Sequence, residues 1–472
     1  MGKIDTRKRA FIMFNLIVTC IASSFLQTAL TTALPPIIDD LHISVSAGQW
    51  LTSGYSLAMG IMMPLTAFLI TRCPTKKLYV SAIGIFLAGL TVCVFATSFP
   101  VMMVGRILQA CSNGITTSMA QVVLLTIYPP EKRGTIMGWY GLSVGAAPVI
   151  APTIAGVLVD TMGWRMIFVI AFVILMASFL IALTSFDNVL ETYVKTFDIS
   201  SFVLSALAFG GITLGIGNLS ALGFMSVMTL CPLGVGIIAG VWFTRRQLYM
   251  ADPFLDLCIL KIHKYRLSVM GSMLLYLVMM GSSVIMPLYV QSILGKSATI
   301  SGLVTLPGSL TMAVISPFVG RIYDRFGMKR LAVAGTCMMM ISTLGMSFIT
   351  ASTSVLVAAL LNVIRSVAIG CLMMPFVTFG ISSMGPESTA HGTALLTSLR
   401  TIAGAIGTAV FVGILNVCST RAAGTAYGNP GIYGLRITFG CMTAVTVVML
   451  AMILIGMRET EAQQIKSMNS EQ

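Results

Sequence analysis

Apolar runs of about twenty residues recur along this chain, the length an α-helix needs to cross a hydrocarbon core roughly 30 Å thick. Fourteen segments meet that length: 11–31, 50–70, 78–97, 101–127, 136–158, 165–186, 199–218, 220–243, 267–290, 300–320, 331–350, 353–379, 393–417 and 435–457. Lipid offers backbone N–H and C=O groups no water to bond, so each run must satisfy them within itself. Long uninterrupted runs do so as helices, which excludes a barrel. The expected fold class is therefore an all-α polytopic membrane protein with 14 transmembrane helices. Composition agrees: 57% of the 472 residues are hydrophobic and 9% charged, against about 25% charged in a soluble domain. A cytosolic enzyme, a nucleic-acid binder and a secreted disulfide scaffold are excluded on that ground. The ten cysteines form no CxxC pair and sit mostly inside apolar runs, where they read as small hydrophobes. The first run has a basic start but no small-residue cleavage site, so it reads as a retained helix.

Basic residues orient the helices, because cytoplasmic loops carry the excess of Lys and Arg. With the N-terminus placed in the cytoplasm, 21 of the 28 basic residues fall on the inner side and four on the outer. The remaining three, Arg106, Arg365 and Arg400, lie inside spans. Both termini are thus expected in the cytoplasm of a bacterial cell, in its inner membrane. The net charge of +13 is a topology signal that calls for no nucleic acid. The longest outer loops are read around 32–49 and 418–434, too short for a receptor domain.

The chain also repeats itself. Ala67 to Lys77, between spans 2 and 3, and Gly320 to Arg330, between spans 10 and 11, both follow a proline, Pro64 or Pro317. Each places a basic residue, Arg72 or Arg325, five positions after the small residue, then a basic pair. A lone intramembrane arginine follows in each copy, Arg106 in span 4 and Arg365 in span 12. The expected organisation is a six-helix bundle (1–186), two inserted helices with a cytoplasmic linker (187–266), a second six-helix bundle (267–458) and a tail (459–472). Parallel copies of this kind build transporters whose halves rock about a midplane site.

At this point the sequence resembles the major facilitator superfamily, and within it the fourteen-span drug:proton antiporter branch. Ala33-Leu34-Pro35-Pro36-Ile37 is similar to that branch's first-helix signature, with Gln49-Trp50 opening span 2. Gly320 to Arg330 resembles the superfamily's loop motif, and Arg106 with Gln109 and Asn113 its fourth-helix arginine motif. Gly145 to Pro148 and Ala151 to Gly156 resemble the fifth-helix antiporter motif, which brings Pro148 and Pro152 into a gating role. Gly163-Trp164-Arg165 opens span 6 as in that branch. The resemblance implies the major facilitator fold, transport of a small molecule and exchange for protons.

Arg106, Gln109 and Asn113 share one helix face at i, i+3 and i+7. An intramembrane arginine costs at least about 2.5 kcal/mol unless it meets a wet cavity or a partner. It can bond carbonyls of a neighbouring helix or take part in substrate and proton handling; Arg365 with Asn362 is its counterpart. Arg400 reads as snorkelling to the headgroups from the cytoplasmic half of span 13. No Asp or Glu lies mid-span, and Leu26 stands where the related antiporters carry a first-helix carboxylate. Asp39 and Asp40 at the outer end of span 1, then His391, are the remaining titratable candidates for coupling, each equally readable as a solvated loop residue. Asp324 reads as the N-cap of span 11 and as a gate latch that accepts from Arg325 or from a basic side chain of the other bundle; its first-half equivalent is Thr71. Ser24, Gln27 and Thr31 on span 1, and Tyr276, Met280 and Ser283 on span 9, form two polar strips for substrate contact. Thirty-four methionines offer a soft surface around them.

Two functions fit these residues. One is multidrug export of amphipathic molecules in exchange for protons. The other is a dedicated carrier for an anionic metabolite, lipid or peptide, which three intramembrane arginines without an intramembrane acid favour. An enzyme is not expected, since no reactive constellation sits at one depth; nor are a cofactor, a metal or direct ATP use, since no phosphate-cradling loop is present. The expected partners are the substrate, protons and membrane lipid, and the expected assembly is a monomer.

Overall fold

The computed structural model describes the chain apart from residues 1–5, 44, 191, 193–197, 223–225, 251–252, 297, 351, 386–387, 424–428 and 471–472. Lys3 and Lys195 of the charge count lie outside the described residues, as do the side chains of Thr31, Pro148 and Pro152. The described residues form thirteen α-helices: α1 (Thr6–Asp40), α2 (Val45–Arg72), α3 (Thr75–Val94), α4 (Phe99–Ile127), α5 (Arg133–Met162), α6 (Arg165–Ser185), α7 (Ile199–Leu222), α8 (Val227–Tyr249), α9 (His263–Leu288), α10 (Ala298–Ser347), α11 (Val355–Ile381), α12 (Thr389–Ala423) and α13 (Pro430–Ser470). Twelve stretches among them are long and apolar enough to cross a membrane.

α10 holds two of the fourteen expected spans, running on through the turn between them and bending at Gly327. There φ is +74°, a conformation that glycine adopts without a Cβ clash. α1 likewise continues past Pro35 and Pro36 to Asp40, and α12 runs to Ala423 and α13 from Pro430, so the outer loops are shorter than the sequence suggests. The eighth helix begins at Val227 where residue 220 is expected, because α7 itself extends to Leu222, past Asn218 and Ser220. α13 continues through most of the expected tail, to Ser470.

Packing follows the repeat. α1 lies along α5 and α6, α3 against α4 and α6, and α2 against α4; α9 lies along α12 and α11, and α10 against α11 and α13. The first six helices and the last five, counting both arms of α10, therefore form two six-armed halves. They meet along two seams, α5 with α10 and α2 with α12. The inserted pair is tied together by Asp198, which bonds the Ser200 N–H and Ser201 hydroxyl at the start of α7 and the Arg246 guanidinium of α8. α7 packs on both α2 and α12.

Candidate functional site at the seam between the halves

The basic turn of α10 meets the start of α5 backbone to backbone. A Cβ on Gly320 would fall on the Gly134 carbonyl oxygen, closer than real side chains ever come, and 2.8 Å from Thr135 Cα. A Cβ on Gly138 would lie 2.6 Å from the Ser316 carbonyl oxygen. The small residues thus let two helices from different halves touch directly. Into that contact α10 places Asp324. The Gly134 N–H and Thr135 N–H each donate to its carboxylate at 2.8 Å, and the Thr135 hydroxyl donates at 2.6 Å. The first N–H groups of a helix have no partner within it, and Lys132, which precedes α5, offers no side-chain cap. Asp324 supplies that cap from the other half. This corrects the expectation that it caps the eleventh span: the chain is still helical at 324 and bends three residues later, so Asp324 is not at a helix start. Arg325 is exposed, with its guanidinium 5.3 Å from the Phe326 ring centroid.

The first-half turn is built differently. The Thr71 hydroxyl donates back to Phe68 O of its own helix at 2.9 Å, and Arg72 is exposed over the Phe68 ring at 5.7 Å. The space beside it is taken by the chain joining α8 to α9. Phe254, 3% exposed, stacks on Phe68 of α2 with centroids 5.9 Å apart. Two residues on, the Asp256 N–H reaches Nδ1 of His391 on α12 at 3.4 Å. A cavity of about 340 Å³ opens at this same end, lined by Arg9, Tyr128, Arg133, Met384 and Thr389.

The two repeat-related arginines are each held inside their own half. Arg106 donates from Nε to Leu51 O at 3.2 Å and from a terminal guanidinium nitrogen to Gln109 Oε1 at 2.8 Å, over the Tyr55 ring at 4.2 Å. Asn113 donates to the Tyr55 hydroxyl at 2.8 Å, so the arginine-motif face of α4 grips α2. Arg365 bonds Asn362 Oδ1, and Asn362 reaches Val304 O of α10 at 3.4 Å.

Arg400 is not at the headgroups. Eleven residues, or about 16 Å, into α12, it is 5% exposed and its guanidinium lies 4.9 Å from the Tyr276 ring centroid of α9. Snorkelling needs a lipid-facing path, and α9 closes it. Arg400 and Tyr276 also lie within electrostatic reach of Tyr140 on α5. The Tyr140 hydroxyl receives Gln121 Nε2 of α4 at 3.2 Å and donates to Thr117 O at 3.3 Å. Met280, one turn beyond Tyr276, is exposed, with its Cγ beside Gly404 of α12. Gln27 is exposed and Ser24 partly so. The structure therefore brings Tyr276 and Met280 to the centre and leaves Arg106, Gln109, Asn113, Asn362 and Arg365 within the halves. Sequence reading passed over Gln121, Tyr140 and Arg400 as central residues, although Thr393, Thr397 and Arg400 show the i, i+4, i+7 spacing of one helix face.

At the opposite end Asp40 pairs with Arg165 at 2.7 Å and accepts from Trp164 Nε1 at 3.2 Å. The hydrogen bond from Arg165 holds its carboxyl below the usual carboxylate range. Asp39 beside it is exposed. No group of three His, Cys, Asp or Glu side chains that could hold a metal gathers among the described residues.

Comparison with known proteins places this geometry. The sequence profile of the Major Facilitator Superfamily matches residues 16–408. The chain is 35% identical over 413 residues to the uncharacterized MFS-type transporter YcnB of Bacillus subtilis, covering 88% of each protein. It is 31% identical over 455 residues to the lincomycin resistance protein LmrB of the same organism, covering 94% of this chain and 93% of LmrB. Among solved structures, the human organic anion transporter MFSD10 superposes with a TM-score of 0.67 over 95% of this chain and 99% of its own. At 13% identity that likeness is one of fold alone.

Proposed function

Because the chain belongs to the Major Facilitator Superfamily, whose members are membrane transporters rather than enzymes, we propose that it exports amphipathic small molecules by alternating access, in exchange for protons. The observation that carries this reading is the cap that Asp324 of one half places on α5 of the other. Hydrogen bonds to a charged group are worth about 1.5–3 kcal/mol each. A catch of that size holds one face shut and can still be broken by the free energy of substrate or proton binding. Close glycine packing behind it, at Gly134, Gly138 and Gly320, makes the contact short-ranged, so a small separation releases it completely. Kinship with the lincomycin resistance protein supports export of drug-like molecules. Tyr276 and Met280 then contribute an aromatic and a soft apolar surface to the substrate path. Arg106, Gln109 and Asn113 act through α2, transmitting movement of α4 to Leu51 and Tyr55. The basic face is the cytoplasmic one, and Asp39 and Asp40 stand at the outer mouth.

Inside-out vesicles test the reading. Ethidium should accumulate when the vesicle interior is acid, and a protonophore should abolish the accumulation. Equal accumulation with and without the gradient would remove proton exchange from the proposal; no gradient-driven accumulation of ethidium or of a panel of neutral amphiphiles would remove export.

A further inference from the structure

Buried polar atoms almost always find a partner, so those that do not call for an explanation. Among the described residues eleven buried side-chain N or O atoms have none. Seven of them lie on three helices that meet at the seam, and five of these, all but Ser118 Oγ and Ser398 Oγ, fall on the faces considered next. On α12 these are Thr393 Oγ1, Thr397 Oγ1 and one terminal nitrogen of Arg400, at i, i+4 and i+7. On α9 it is Ser272 Oγ, one turn before the Tyr276 ring that carries the guanidinium. On α4 it is Gln121 Oε1, whose amide nitrogen is already given to Tyr140. Both halves contribute, since α4 packs on α12 and α12 on α9.

Arg400 decides what such a place can hold. It is 5% exposed, and among the described residues no ion pair is found for it; those described are Lys8–Asp187, Arg165–Asp40 and Arg246–Asp198. A buried, uncompensated guanidinium is costly. The Tyr276 face offsets part of that cost by a cation–π contact and leaves the planar fork of N–H donors, which matches a carboxylate or phosphate. The hydroxyls of Ser272, Thr393 and Thr397 are further donors at its side.

We propose that Arg400, with Tyr276 behind it and the hydroxyls of α9 and α12 beside it, is an anion-binding site between the two halves. The ligand is an amphipathic molecule carrying a carboxylate, its aromatic or aliphatic body lying toward Met280. This rests on the transporter reading above and gives it a substrate class. It also separates Arg400 from Arg106, whose Nε and one terminal nitrogen are bonded within the first half. A ligand held between α4 and α12 bridges elements that alternating access must move apart.

The test uses the full chain in nanodiscs, with fluorescein as an anionic aromatic probe and ethidium as a cationic one. Wild-type protein should bind fluorescein, and excess benzoate but not benzylammonium should displace it. Arg400→Gln should weaken fluorescein binding at least tenfold without weakening ethidium binding. Arg400→Lys should recover part of the loss, and Thr397→Val should cost a few-fold. Undiminished fluorescein binding in Arg400→Gln, or equal displacement by benzoate and benzylammonium, overturns the proposal. So does parallel loss of both probes with no rescue by lysine. Should Arg400→Gln fail to fold, the benzoate and benzylammonium arms decide on wild-type protein alone. The same protein in vesicles keeps the two readings apart. Fluorescein bound through Arg400 without gradient-driven movement of either probe leaves the site standing and the export reading fallen. Ethidium pumped by protein that does not bind fluorescein does the reverse.

Discussion

The α5–α10 seam and the α2–α12 seam lie at the same end of the molecule, come from the same repeated turn, and are closed by different chemistry. In the first, an acid reaches across and caps the other half's helix through three hydrogen bonds. In the second, the equivalent Thr71 bonds its own helix, and the closure passes to Phe254 and Asp256 of the chain between α8 and α9. The polar catch depends steeply on distance and orientation. The apolar wedge changes gradually as area is uncovered. One repeat has thus kept an abrupt contact, while the other has exchanged it for a graded one supplied by the insert.

Four experiments would break or sharpen that contrast. Gly320→Ala should do most, because its Cβ has no room against the Gly134 carbonyl. Transport of ethidium should fall by more than tenfold. Thr378, buried beside the contact, should become reactive as Thr378→Cys, in a background without the native cysteines, to an impermeant thiol reagent applied from the basic face. Normal transport with a protected Thr378→Cys would show that the close approach is unnecessary.

Asp324→Asn comes next. It keeps an acceptor but loses the charge, and loss of about 1.4 kcal/mol shifts an equilibrium tenfold. Transport should drop by roughly that factor at equal expression, with Asp324→Glu intermediate and Thr71→Ala within twofold of wild type. Equal defects in Asp324→Asn and Thr71→Ala would erase the difference between the seams.

A milder change is expected from Phe254→Ala. It removes a ring stacked on Phe68, so transport should fall two- to fivefold and the apparent melting temperature by a few degrees. A loss as abrupt as that of Asp324→Asn would mean that the wedge, too, is a catch.

The smallest effect belongs to the far end of the molecule. Arg165 lowers the Asp40 pKa from its ordinary value of 3.8. A depressed folded-state value means that the pair's contribution is present above the ordinary range and is lost only as pH falls below it. Asp40→Asn should therefore leave the pH profile of transport unchanged between pH 5 and 8. A displaced profile in that window would return Asp40 to the coupling machinery.

Much of the architecture is legible in the sequence because bilayer thickness imposes a length on every helix and charge imposes a direction. Gly327 shows where legibility ends: a turn signal marks a change of direction, but only the backbone shows that helix persists on both sides of it. The partner of Asp324 lies 189 to 190 residues away, and no local pattern names it. Arg400 was misread for a related reason. Depth along a helix can be counted from sequence, whereas burial depends on which neighbour, here α9, covers that face. Its hydroxyl companions at 393 and 397 were the available clue, since three polar residues on one stripe of a membrane helix ask for a common recipient.

α7 rests against both α2 and α12. A rod that leans on both leaves of a door makes that edge the hinge post. On the alternating-access reading, the halves swing about the flank where α7 stands, and the gap widens fastest at the free edge, where α5 parts from α10. The breakable catch therefore sits where the travel is greatest, and the compliant wedge where it is least.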